Sequence, residues 1–134
     1  MGARVQVKVI SEMQGEHPVY LYAHWGAGGP TRHAVSMALL HGGKEGRRTD
    51  FEYLNRIIFC KMVEDPEGSL SYGIGTEIHG DIEEFIVLDL KEQAVYHYEG
   101  FDSNVMNDMD NGRYERDEIK PYTFSEFAKK AIGE

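Results

Sequence analysis

The sequence predicts an α+β fold, and three observations carry that prediction. Apolar and polar residues alternate in several short segments, the period of a strand with one buried face. Two other segments space their apolar residues at helical intervals behind capping residues. The alternating segments follow one another in hairpins rather than in strand–helix–strand crossovers, which favours antiparallel pairing with helices gathered on one face. The expected architecture is a mainly antiparallel five-stranded sheet with helices packed on one face, in the order ββααβββα. No linker or internal repeat divides residues 1–134, so a single domain is expected.

Residues 4–10 (RVQVKVI) place Val5, Val7 and Val9 on one face, as a half-buried strand does. Gly and Pro within 11–18 mark a turn. Residues 19–25 form a second strand, with Val19, Leu21, Ala23 and Trp25 on one face and Tyr20, Tyr22 and His24 on the other. After the turn GAGGP, Pro30 suits the first turn of a helix over 30–41, with Gly42 and Gly43 as its stop. Thr49 and Glu52 have capping-box spacing, which starts a second helix running to about Val63. Its core face is Phe51, Leu54, Ile58 and Met62. Residues 64–69 turn the chain into a strand over 70–78, weakened by Gly73 and Gly75; glycines there mark a bulge or the close approach of a backbone or ligand. Residues 84–90 and 94–99 pair as a hairpin. Residues 100–118 read as a long acidic loop. Thr123 and Glu126 form a second capping box, and Tyr122 with Phe127 a hydrophobic staple, opening a helix over about 124–132.

Composition narrows the functional classes. Of 134 residues 41% are apolar, and no run of them reaches the roughly 18 that span a bilayer. The N-terminal segment lacks the pattern of a secretory signal. Gly2 is not read as a myristoyl acceptor, because Gln6 stands where Ser or Thr is needed. Cys60 is the one cysteine and has no internal disulfide partner, which fits a reducing compartment and a cytoplasmic location. The net charge of −9 opposes non-specific nucleic-acid binding and anionic membranes. It is compatible with docking onto a basic protein partner, and with a small anionic ligand held by local dipoles. Edge strands leave a homodimer open.

The strongest local feature is the strand–turn–helix segment HWGAGGPTRH. Gly28 and Gly29 lead into a helix start, where backbone N–H groups and the helix dipole favour an anion. Arg32 can fork onto a phosphate or carboxylate, Trp25 can stack a flat ring, and His24 can hydrogen-bond or exchange a proton. This suits a nucleotide-like or phosphorylated small molecule, although the segment matches no established phosphate-loop pattern. The alternative is structural: a sharp turn with Trp25 as a core plug and Arg32 solvated. A second cluster, Glu77, His79 and Asp81, could hold a divalent metal together with His24, as in a metal-assisted hydrolase. His79 and Asp81 also read as ordinary turn residues, and no metal or cofactor is expected. Asn107, Asn111, Gly112 and Glu118 approach a calcium-loop pattern, but Met109 stands where a hard oxygen ligand is needed. Cys60 reads as a buried or half-buried small apolar residue. Tyr20, Tyr22, Tyr96 and Tyr98 form a stacking platform if their sheet face is open and cross-strand packing if it is not. No catalytic triad or nucleophile elbow is present, so binding is favoured over catalysis.

The stretch Tyr20-Leu21-Tyr22-Ala23-His24-Trp25-Gly26 resembles the Tyr-Leu-Tyr-x-His-Trp-x-Gly signature of an uncharacterised family of small phage and prokaryotic proteins. Residues 50–59, 72–75 and 79–83 are similar to other parts of that family, so the likeness covers about residues 19–99. The family pattern His-Trp-Asp-Gly-Tyr-Pro is replaced by His24-Trp25-Gly26-Ala27-Gly28-Gly29-Pro30, which removes an acidic and an aromatic residue beside the expected pocket. The resemblance implies that His24, Trp25, Arg56, Tyr72, Gly73, His79 and Asp81 converge in space. It carries no activity. Occurrence in phages implies interference with host defence, either by sequestering a nucleotide signal or by blocking a host protein.

Overall fold

The computed structural model describes residues 4–11, 18–24, 29–44, 46, 48, 50–64, 72–77, 82–99 and 119–129. Among them are six strands and three helices: β1 (Val5–Ile10), β2 (Val19–Ala23), α1 (Pro30–Lys44), α2 (Phe51–Met62), β3 (Tyr72–Gly75), β4 (Glu84–Asp89), β5 (Ala94–Tyr98), β6 (Tyr122–Thr123) and α3 (Phe124–Lys129). The strands form one sheet in the order β3-β2-β1-β4-β5-β6. No helix among the described residues is long and apolar enough to cross a membrane.

The α+β class holds, and the sheet corrects the expectation of five mainly antiparallel strands. It has six strands and is mixed, because β1 pairs antiparallel with β2 on one side and parallel with β4 on the other. The physical reason lies in β1 and β4 themselves. Alternation marked β1 as half-buried, yet Gln6 and Lys8 are buried along with its valines, so both faces of the strand are covered. Every residue of β4 is buried except the last, which is half-buried. Parallel neighbours covered on both faces are the usual occupants of a sheet centre. The glycine-containing β3 goes to the outer edge of β2, which leaves the second edge of β1 to β4. The added strand β6 is only two residues long, too short for alternation to reveal.

Alternate residues divide the molecule into two cores. Val5, Val7, Val9, Leu21, Ala23, Ile86, Leu88 and Val95 face the helices and pack with Val35, Leu39, Leu54, Ile58 and Phe127. On the opposite face the registers line up two rows, Tyr22–Gln6–Phe85–Tyr98 and Tyr20–Lys8–Val87–Tyr96. Tyr20 and Tyr98 are buried, so these tyrosines are cross-strand packing and not an open stacking platform. The Lys8 ammonium sits 5.7 Å from the centroid of the Tyr20 ring.

Three local details differ from expectation. α1 continues through the two glycines to Lys44. The Arg48 guanidinium lies against Gly43, where a Cβ would come within 2.6 Å of it. Arg48 Nε donates to the Leu39 carbonyl at 2.8 Å, so Gly43 lies within the helix against an anchored arginine rather than serving as a stop. The cap of α2 is Asp50, whose side chain accepts from the Tyr53 N–H; the capping box expected from Thr49 begins outside the described residues. Cys60 is exposed, because Leu54, Ile57, Ile58 and Met62 define the buried face of α2 and position 60 points away from it. The second capping box is present as expected. Thr123 N–H donates to Glu126 Oε1 at 2.8 Å, and Glu126 N–H donates to Thr123 Oγ1 at 3.0 Å. The staple is present too, with the Tyr122 and Phe127 rings 5.7 Å apart.

Candidate functional site

α1 and α2 are joined by a short connection and run antiparallel, so the head of α1 lies beside the tail of α2. A cavity of about 360 Å³ opens there, floored at one side by the first residue of β3. Its lining comes from one face of α1 (Pro30, Thr31, His33, Ala34 and Met37), from the end of α2 (Lys61, Met62 and Glu64 just beyond it) and from Tyr72. The spacing along α1 is that of adjacent turns on one helix face. Burial of Val35 and Leu39 anchors the same helix to the sheet, each contributing about 1.5–3 kcal/mol.

Among the described residues, no side chain closes the head of α1. The Gly29 carbonyl accepts from His33 N–H at 2.8 Å, which makes Gly29 the N-cap residue, and it has no side chain to return a hydrogen bond. Its φ of 141° is one that other residues rarely adopt. Pro30 follows at the first helical position, and the first turn holds no acidic residue. The partial positive charge of this terminus therefore meets no carboxylate of its own turn.

Thr31 lines the cavity and is 2% exposed, and its hydroxyl has no hydrogen-bond partner among the described residues. Ser36 and Asn55 also hold unpartnered buried oxygens, but neither lines the cavity. A buried hydroxyl without a partner costs about 1–3 kcal/mol, a cost that a bound acceptor or donor would remove. At the rim, Lys61 Nζ lies 3.4 Å from Glu64 Oε2; Lys61 is half-buried and Glu64 exposed. Ion pairs near the surface contribute about 0–1 kcal/mol.

The expected site residues divide as follows. Tyr72 lines the cavity, and Gly29 immediately precedes the lining residue Pro30. Arg32 is half-buried on α1 but does not line the cavity. His24 and Gly73 lie near the same end of the sheet: His24 Nδ1 is 3.0 Å from the Tyr22 hydroxyl, and Tyr22 pairs with Gly73, on the face turned away from the helices. Arg56 is exposed on α2, its guanidinium carbon 5.9 Å from the centroid of the Tyr53 ring, and does not line the cavity. Trp25, Gly28, His79 and Asp81 lie outside the described residues, as does the near-calcium pattern of 107–118. Among the described residues no three His, Cys, Asp or Glu side chains gather as metal ligands would.

Sequence reasoning missed Thr31, His33, Met37, Lys61, Met62 and Glu64 as a group. A partial signal existed, since Pro30, His33, Ala34 and Met37 share a helix face once Pro30 is set at the first helical position. Lys61 and Met62 join them only through the packing of two helices. Comparison with protein-family models, with curated proteins and with solved structures finds no match to this chain.

Proposed function

We propose that this chain is a small-molecule binding protein whose ligand carries a compact oxyanion, a phosphate or carboxylate, at the head of α1. The observation that carries the reading is a cavity lined by Thr31, whose buried hydroxyl has no partner among the described residues, and by the head of α1, which has no side-chain cap among them. Lys61 supplies a positive charge at the rim, and Tyr72 a ring against which a ligand body can lie. At about 360 Å³ the cavity is near the lower end of ligand sites, which suits one small molecule. Nucleotide-like compounds fit this reading only through their phosphate end.

The test is a thermal-shift series with inorganic phosphate, nucleoside monophosphates and simple carboxylates. A true ligand at about a hundredfold excess over its Kd stabilises the fold by roughly 2.7 kcal/mol, a rise of several degrees in Tm. No shift with any member of the series overturns the reading. A shift that survives in Lys61→Ala unchanged places binding elsewhere on the molecule.

A second reading, a protein-interaction module, is favoured by one observation. The edge strand β3 carries Ile74, 65% exposed, between two glycines. An uncharged edge of this kind is a template for strand addition.

A further inference from the structure

The cavity described above receives two helix ends of opposite polarity. The head of α1 brings partial positive charge, and the tail of α2, whose last turn supplies Lys61 and Met62, brings partial negative charge. The same two signs recur as full charges at the rim, in half-buried Lys61 and exposed Glu64, which pair with one another. Apart from His33 and Thr31, the rest of the lining is largely apolar: Pro30, Ala34, Met37 and Met62 with the Tyr72 ring.

A simple anion would use only half of this arrangement. It would gain from the α1 head and Lys61, and would be repelled by Glu64 and the α2 tail. A zwitterion of short charge separation uses all of it. Its carboxylate takes the charge of Lys61 and, once the Thr31 side chain rotates its buried hydroxyl toward the cavity, the hydrogen bond that this hydroxyl lacks. Its ammonium replaces Lys61 as the partner of Glu64. An apolar side chain then covers the methionines and the tyrosine, where adaptable thioethers accept varied shapes. From this juxtaposition we infer that the ligand class is the free apolar α-amino acid. The inference rests on the reading of this cavity as a ligand site and narrows its chemistry.

The experiment is titration calorimetry on the full chain with L-leucine, with its deaminated counterpart isocaproate, and with its decarboxylated counterpart isoamylamine. The expected result is binding of L-leucine with about tenfold or greater loss for each counterpart, the cost of leaving one charged hydrogen bond unmade. Glu64→Gln is expected to weaken L-leucine by a similar factor and leave isocaproate unchanged. Lys61→Met is expected to weaken both. Both side chains are at the rim, so neither substitution threatens the fold. If isocaproate binds as tightly as L-leucine and Glu64→Gln changes neither, the zwitterion is wrong while the oxyanion site stands. If L-leucine, isocaproate and inorganic phosphate all fail to bind, the cavity is not a ligand site and the inference falls with it.

Discussion

The heads of α1 and α3 solve one problem in opposite ways. Every helix begins with N–H groups that have no intrahelical partner. At α3 they are met from within: Thr123 and Glu126 exchange side chains and N–H groups, and Tyr122 clamps Phe127 across the start. α2 is treated similarly, by Asp50. At α1 the cap is Gly29, the next residue is Pro30, and the neighbouring Thr31 hydroxyl is left buried and unpartnered beside a cavity. A six-residue helix such as α3 has little propensity to persist alone and needs its cap and staple. The fifteen-residue α1 is held by its buried face against the sheet and against both other helices, so its head can be left open without loss of the helix. What is structural at one terminus is, on the proposed reading, available for recognition at the other.

This contrast is broken most directly at Phe127. The ring is fully buried and touches the edges of both Tyr122 and His97, the latter beside the Glu84 carboxylate at 2.5 Å. Phe127→Ala is expected to cost about 3–5 kcal/mol, measured by denaturant unfolding. If the α3 head is purely structural, the ligand-induced Tm shift of the folded fraction is unchanged. A cost below about 1 kcal/mol would mean that the staple holds nothing in place. Thr123→Ala removes one half of the capping box and is expected to cost about 1 kcal/mol by the same measurement. A neutral result there would make α3 as independent of its cap as α1 is.

The two termini also differ in how far their sequences could be read. The α3 head was legible because each part of it is local: Thr123 and Glu126 lie three residues apart, and one rule relates them. The same locality explains why Pro30 was recognised as a helix start. Capping-box spacing pointed to Thr49, and the cap of α2 is its neighbour Asp50, one residue further on. What depended on distant segments was not legible. The β1–β4 pairing joins residues nearly eighty positions apart, and Lys8 gives no local sign that it is buried. Tyr72 was named only through the family resemblance, and Lys61 and Met62 reach the same cavity only because two helices pack antiparallel. Cys60 was legible in principle, since the phase set by Leu54, Ile58 and Met62 already turned it outward.

The smallest expected effect is the one that separates the termini most sharply. Valine nearly matches threonine in volume and in helix propensity, so Thr31→Val changes little except the hydroxyl. Where a buried hydroxyl is a structural donor, its loss costs about 1–3 kcal/mol; where it has no partner, its removal ends a desolvation penalty. For Thr31 the second case applies, and unfolding stability is expected to stay level or rise by up to about 1 kcal/mol. Binding of an oxyanion ligand is expected to weaken in the same protein, since the hydroxyl would be one of its donors. A gain or tie in stability together with a loss in affinity is the pattern of a group retained for a ligand and not for the fold. A stability loss above about 1 kcal/mol would show that Thr31 caps its own helix, and the head of α1 would then be closed from within like that of α3.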